Sequence, residues 1–420
     1  MKPAILLSFL GLAAAVPWNP SPDRLLPRKD EKNQPAKDQP EDQPAQGKKR
    51  LLVSAVGAII AVDFDPNTNE FKPVTHTNDL GGSNPSWLQY SSPNTIYAFD
   101  EFGTKVFIFD YNPSKGGEIG KVKEILDEGA WGVVHLELSH DGNRMLASSY
   151  TNGTIQVWNT EDKRNIFPLD TLDSGGDLGP NQDSRRVHQV VKYPDESSNL
   201  FVANDLGSDS LIVIDGTDPA KYTTKGNFSV EVGCAPRHGV FHGKDAKSRY
   251  YTVVCEGSNL LLTYKTEIPA EKNNITFTFQ QAISTFNPRN PPLNMSTVAA
   301  GAVIIDDKKN HLYVSNRKTG HPTDFISVFD IDGGSLKYRT EFSSKAKNPR
   351  MMSLSSDKNY LFVANMENAK GLHAFKWENS DFMNMTKVAY ADLTSEIKAE
   401  GEDTGPSYVR EVFAASEPSN

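Results

Sequence analysis

Long apolar runs are scarce in this chain. Hydrophobic residues make up 37% of its 420 residues, and the one extended run, at residues 4–16, is shorter than the ~20 residues that span a bilayer. Cysteine is nearly absent: two residues exclude a disulfide-rich scaffold and a zinc site built from four cysteines. Basic charge is in deficit, with 44 Lys and Arg against 53 Asp and Glu, a net of −9. That is the reverse of the basic patch and high pI of a dedicated nucleic-acid binder. Also missing are a P-loop, a GxSxG elbow, a cluster with zinc-ligand spacing and any basic–aromatic interleaving. Neither a metal nor another cofactor is expected, and no nucleic-acid partner. The length exceeds one ordinary domain of ~100–200 residues unless the fold is a barrel or a propeller.

At the N-terminus, Lys2 supplies a positive charge, Ala4 through Leu12 a short apolar core, and Ala13-Ala14-Ala15 small residues for cleavage. This is the pattern of a secretory signal peptide over residues 1–15. Residues 16–50 are rich in Pro, Gln, Lys and Asp, with Asp38-Gln39-Pro40 nearly repeated as Asp42-Gln43-Pro44. Such a segment has too little apolar surface to offset its chain entropy and reads as a disordered pro-segment. It ends in Lys48-Lys49-Arg50, either a dibasic processing site or an ordinary solvated charge run. Without residues 1–50 the chain holds 35 basic and 47 acidic residues, a net of −12, so an anion it binds must meet a local basic pocket. Five Asn-x-Ser/Thr sequons, at Asn152, Asn227, Asn274, Asn294 and Asn384, fit a secreted, extracellular glycoprotein, free or associated with a cell wall.

From Leu51 onward, short β-rich runs alternate with turn clusters, and long amphipathic helices are wanting. One unit recurs: a leading strand, a polar turn, a second strand, another turn, and a third strand ending in Val or Phe. His135-Leu-Glu-Leu, Met145-Leu-Ala-Ser and Thr154-Ile-Gln-Val-Trp158 show it, and five further copies follow the same order. A seventh assembles from the two ends, with Tyr408 to Phe413 leading into Leu51-Leu-Val-Ser and Ala58-Ile-Ile-Ala-Val. The reading is an all-β, seven-bladed β-propeller over residues 51–420, closed by pairing of N- and C-terminal strands. Two β-sandwich domains would leave the chain-long period unexplained.

In such a blade the start of the innermost strand and the end of the second lie on one face. Those positions would ring one mouth of the channel with His135, His188, Arg237, His238 and Arg350, and with Tyr150, Asn204, Asp205, Glu256, Asn316, Arg317 and Asn365. Arginines offer planar bidentate donors to carboxylates, and a histidine moves a proton near neutral pH. The set suits an anionic, carboxylate-bearing small molecule and acid–base chemistry. Singly, each of these residues is more often a wet rim residue or an inter-blade tie; the functional reading rests on their convergence in one concave site. Cys234 and Cys255 fall on the same face of one unit, either paired as a disulfide or as two partly buried thiols.

Several blocks resemble the seven-bladed propeller lactonases, a family that includes propeller-type 6-phosphogluconolactonases and fungal 3-carboxy-cis,cis-muconate lactonizing enzymes (carboxymuconate cyclases). Cys234-Ala-Pro-Arg-His-Gly-Val-Phe-His is similar to a GPRH-type signature, with Ala235 where that signature has glycine. Val187-His188-Gln, Ala203-Asn204-Asp205-Leu206-Gly207, Leu312-Tyr-Val-Ser-Asn-Arg317 and Asn348-Pro-Arg-Met-Met-Ser-Leu resemble further blocks, and the likeness covers residues 51–415. The resemblance implies lactone formation or opening without metal. It assigns catalytic roles to His188, Glu256, Arg237 and Arg317: His188 or Glu256 would transfer the proton, and the two arginines would bind substrate carboxylates and stabilise enolate-like charge. His135, His238, Asp205, Asn316 and Arg350 are expected to contact substrate, a small carboxylate-bearing lactone or muconate-type ligand. The competing expectation is a secreted, non-catalytic propeller glycoprotein that binds a ligand, a cell-wall component or a host partner.

Overall fold

The β-rich runs pair into seven four-stranded antiparallel sheets, one per blade. The computed structural model describes residues 47–412, apart from 79, 114–115, 181, 246–247, 270–272, 368–370, 380–383 and 402. The expected signal peptide, and the pro-segment up to residue 46, lie outside the described residues. Blade 1 is closed as the repeat pattern predicts. Its inner strand is Tyr408–Glu411, followed outward by Lys49–Ala55, Ala58–Asp65 and Glu70–Thr77. Val53 stands opposite Val409 in that junction, and Leu51 opposite Glu411. Blades 2 to 7 begin at Leu88, Val133, Val187, Pro236, Ala299 and Lys347. Among the described residues no helix is long and apolar enough to cross a membrane.

The hydrophobic side chains explain why the sheets stand face to face around a ring. Along Lys49–Ala55 successive residues point to opposite faces. Leu51 and Val53 pack with Phe362 and Ala364 of blade 7, while Leu52 packs with Ile96 and Ala98 of blade 2. The same division recurs at every junction, giving seven buried clusters, one between each pair of neighbouring blades. Strands buried on both faces must be apolar at consecutive positions, as Leu51-Leu-Val and Ala58-Ile-Ile-Ala-Val are.

Two sequence expectations are corrected. Each blade carries a fourth, outer strand that the three-strand unit lacks, such as Ile119–Leu126 and Phe167–Asp173. These strands alternate between packed and exposed positions, so they lack the continuous apolar run that marks the inner ones. The expected boundary between residues 50 and 51 falls inside a strand. Lys49 and Arg50 are buried members of Lys49–Ala55, with Lys49 Nζ 2.9 Å from Asp357 and Arg50 bonded to Asp63. A protease could read that run only in a chain whose first strand has not yet paired.

Val409→Asp would place a carboxylate with no partner against the packed Leu51 and Val53. It is expected to cost at least ~3 kcal/mol, read as a lowered denaturation midpoint in guanidinium, while Tyr390→Ser on an outer strand stays near the parent value. Equal midpoints for the two variants would show that the terminal junction does not hold the ring.

Candidate active site

The inner strands are not regular at their channel-mouth ends. In blade 4 the register slips between Val187 and Gln189, leaving His188 out of the ladder. Blade 5 slips between Pro236 and Gly239, blade 7 between Pro349 and Met351, and blades 3 and 6 slip likewise. Such bulges re-aim a side chain where ladder pairing would otherwise fix it. The residues freed in this way include His188, Arg237, His238 and Arg350. The bulge in blade 6 holds Gly301, where an added Cβ would stand 2.8 Å from Arg317 Nε and 2.6 Å from Ser315 Oγ, so a side chain there would push against Arg317.

Glu256 is the centre of charge. Its Oε2 lies 2.8 Å from Arg317 Nη2, a hydrogen bond between blades 5 and 6, and 2.8 Å from Arg237 Nε. Burial favours its neutral form, but the fields of Arg317 and Arg237 outweigh that and hold the carboxyl below its ordinary range. Burial pushes the Arg237 guanidinium down, helped by Arg317, and it remains cationic at neutral pH. A second pair crosses blade 1: Arg350 Nη2 of blade 7 donates to both oxygens of Glu101 of blade 2, at 2.8 and 2.7 Å. Asn84 Nδ2 donates to Glu101 at 3.1 Å. Three guanidiniums against two carboxylates leave one positive charge in a protein of net charge −9.

Beside these charges lies a histidine cluster. The rings of His188 and His238 are 5.0 Å apart, and those of His238 and His135 6.3 Å. Trp87 packs on His135 at 4.1 Å and meets His238 edge-on at 5.9 Å. Tyr150 meets His188 edge-on at 5.8 Å, and the Arg186 guanidinium covers the other Tyr150 contact at 4.8 Å. Arg237 Nη1 is 3.3 Å from His238 Nε2. His188 and His238 titrate well below 6.5, first through burial and then through Arg237; His135 is lowered to about 3 by burial and Arg410. All three are uncharged at neutral pH. Trp87 Nε1, His135 Nδ1 and His188 Nδ1 are buried with no protein partner, the kind of atom a bound ligand or ordered water satisfies.

One further expectation fails on geometry. Asp205 does not reach the channel: it is fully buried and accepts hydrogen bonds from Arg186 N (2.7 Å), Gly207 N (3.0 Å) and Ser208 Oγ (2.7 Å) in its own blade's turn. Asn316 Nδ2 donates to Thr285 O (3.1 Å) of blade 5 and to Ser327 Oγ (3.0 Å) of its own blade, while its Oδ1 is buried with no protein partner. Asn204 and Asn365 are ties as well; Asn204 donates to the Arg237 carbonyl at 3.2 Å and so helps place that residue. Glu101 and Trp87 belong to the site and were overlooked. Glu101 was legible: it follows the second strand of its blade (Thr95–Phe99) near the place that Glu256 takes after Tyr250–Cys255. A recess of about 810 Å³ lined by Tyr193, Asp195, Lys265 and Glu267 lies at the opposite end of blades 4 and 5, away from these charges.

Cys234 and Cys255 form a disulfide, Cα–Cα 4.6 Å, that joins the segments leading to Arg237 and Glu256. Ala235, between the disulfide and Arg237, has φ of +52°, a left-handed backbone that favours glycine. Asp209 holds it there, its Oδ1 accepting from Ala235 N at 2.6 Å and its Oδ2 from Gly233 N at 2.7 Å.

Residues 53–388 match the family model for lactonases with a seven-bladed β-propeller. The chain belongs to this propeller lactonase family. A curated relative from Arthroderma benhamiae, named as a probable 6-phosphogluconolactonase, is 27% identical over 77% of this chain and 80% of its own length. A 6-phosphogluconolactonase of Formosa agariphila is 24% identical over 72% of this chain and 84% of its own. The solved periplasmic gluconolactonase of Pseudomonas aeruginosa shares the fold, with a TM-score of 0.70 and 20% identity over 87% of this chain and 99% of that one. The left-handed Ala235 therefore stands, in this member of the family, where the signature it resembles has glycine, the residue best suited to that backbone.

The buried histidines set the acid stability of this protein. His135, His188 and His238 bind protons at about 6.5 when unfolded and only at lower pH when folded, so stability falls as pH drops through 6.5, approaching about 1.4 kcal/mol per pH unit for each. Glu256 and Glu101 are held below 4.5 in the folded state, so their contribution is lost only at lower pH. Thermal scans are expected to show a Tm that declines from pH 7 to pH 5. A flat Tm across that window would contradict neutral burial of the cluster.

Proposed function

We propose that this protein opens the ring of an anionic lactone, with His188 carrying the proton and Arg237, Arg317 and Arg350 receiving negative charge. The observation that carries the reading is Glu256 fixed between two guanidiniums beside an uncharged, buried histidine. The names of the curated relatives supply the substrate class, a sugar-acid lactone with an anionic group. Water adds to the lactone carbonyl carbon while the His188 imidazole takes its proton. The carbonyl oxygen becomes an oxyanion, stabilised by guanidinium donors already in place. Collapse breaks the ring C–O bond, and the imidazolium returns the proton to the leaving alkoxide, giving a hydroxy acid. Run backwards, the same steps close a lactone. Glu256, ionised and held through Oε2 by both Arg237 and Arg317, acts as a positioning residue rather than the base.

The surplus positive charge selects an anionic substrate against the repulsion of an acidic protein. Secretion fits the surface positions of the sequons: Asn152, Asn227, Asn294 and Asn384 are exposed and Asn274 is half-buried. A carboxymuconate-type lactone belongs to the same charge class, and so stands beside 6-phosphogluconolactone in the substrate panel.

Turnover of 6-phosphoglucono-δ-lactone, glucono-δ-lactone and carboxymuconolactone-type compounds is the direct test. Arg317→Ala is expected to lower kcat/KM by about 10²–10³ and His188→Gln by about 10²–10⁴, each with an unchanged circular dichroism spectrum. Wild-type protein that is folded yet turns over none of the three would sink the reading.

Because the His188 proton affinity is depressed, the base stays unprotonated as pH falls through 6.5. The pH profile of kcat/KM is expected to show no acid limb at 6.5, only one well below it. An inflection at 6.5, measured below the Tm at each pH, would assign the proton transfer to another group.

A further inference from the structure

Large apolar side chains that reach solvent are unevenly placed on this molecule. Phe102, Trp131, Leu178, Val232, Leu293 and Met295 are 49% to 77% exposed. All six lie in loops at the channel mouth that carries the arginines. Among the described residues Ile268 alone, at 38%, represents the loops of the opposite end, and the remaining exposed large apolar residues lie on outer strands. Single exposed apolar residues are ordinary. Here the distribution is one-sided, and it follows the chemistry.

Four of the five loops that hold them are tied to strands that build the site. Phe102 follows Glu101, the partner of Arg350. The Trp131 loop is bound to the Phe102 loop by Gly132 N donating to Gly103 O (3.4 Å), and to Tyr150 by Tyr150 N donating to Gly132 O (2.8 Å). Val232 stands two residues before Cys234, whose carbonyl accepts from Gly257 N (2.9 Å) beside Glu256. Leu293 N donates to Thr319 O (2.8 Å), two residues past Arg317. The loops around the charged site therefore present exposed apolar side chains interspersed with exposed charges such as Asp183 and Glu231.

We infer that the substrate is an amphipathic lactone, with its anionic ring among the arginines and an apolar substituent lying outward across the rim. This rests on the lactone-opening reading above and narrows its substrate class. A bilayer is a poor occupant, because the net charge of −9 opposes anionic lipid and two sequon asparagines, Asn152 and Asn294, stand on the same face. A second copy seated there would cover the channel that the substrate must enter.

The test uses the full secreted chain and two series. One is paraconic acids, γ-lactones with a ring carboxylate, carrying alkyl chains from methyl to octyl, followed by ring opening. The other is straight-chain carboxylates from butanoate to dodecanoate, followed by calorimetric binding. Both kcat/KM and affinity are expected to rise about twofold to fourfold per methylene. The triple variant Trp131→Ser, Val232→Ser, Leu293→Ser should flatten both series while leaving the shortest members unchanged. Ring opening with no dependence on chain length would overturn the inference and leave the lactone-opening reading standing. Carboxylate affinity that climbs with chain length, with no paraconic acid opened, would retain the amphipathic site and remove the activity. Co-sedimentation with phosphatidylcholine vesicles that the triple variant abolishes would reassign the rim to a membrane and overturn the inference.

Discussion

Arg237 and Arg317 are like charges on neighbouring blades, brought together in a buried place, and the Glu256 carboxylate between them is what permits it. A buried guanidinium without a partner is costly, and two side by side are more so. One carboxylate oxygen at 2.8 Å from both turns a repulsion into two fixed ion pairs. The neutrality of the histidines follows from the same arrangement, because burial and the surrounding guanidiniums both disfavour an imidazolium. Glu256 thus sets the charge of its whole surroundings while remaining too strongly held to act as a base itself.

The backbone makes this possible at the expense of its own regularity. A ladder that ran unbroken to the mouth would point alternate side chains into the blade interfaces. The slips beside His188, Arg237 and Arg350 exchange a few strand hydrogen bonds for side chains in the channel. Side-chain ties then hold the loosened ends. Asp209 bonds the backbone before Arg237, Asn204 bonds the Arg237 carbonyl, and the disulfide closes the remaining side.

Much of this was legible in the residues. The seven-fold period and the terminal pairing follow from two-sided burial, which writes consecutive apolar residues into every inner strand. The mouth positions of His188, Glu256, Arg237 and Arg317 follow from strand direction alone. What could not be read is where a polar side chain spends its hydrogen bonds. Asp205 and Asn316 look like Glu256 and Arg317 in sequence position, yet the Asp205 carboxylate is consumed by a turn and the Asn316 amide nitrogen by Thr285 of the neighbouring blade and Ser327 of its own. Outer strands escaped because half of each faces water, and Trp87 because an aromatic at a strand start reads as core.

Blade 1 takes its inner strand from Tyr408–Glu411 and its next from Lys49–Ala55, so the two ends of the ring are made at opposite ends of synthesis. Lys49–Ala55 leaves the ribosome first among the described blade strands and waits for its inner neighbour until the other six blades have been made. For that interval an apolar strand presents an unpaired edge, the geometry that invites intermolecular pairing. A transcript ending short of Tyr408 would yield six finished blades and an unsealed seam. The closing tetrapeptide is in this sense a gate on assembly: only a chain made as far as Glu411 can cover the edge of Lys49–Ala55.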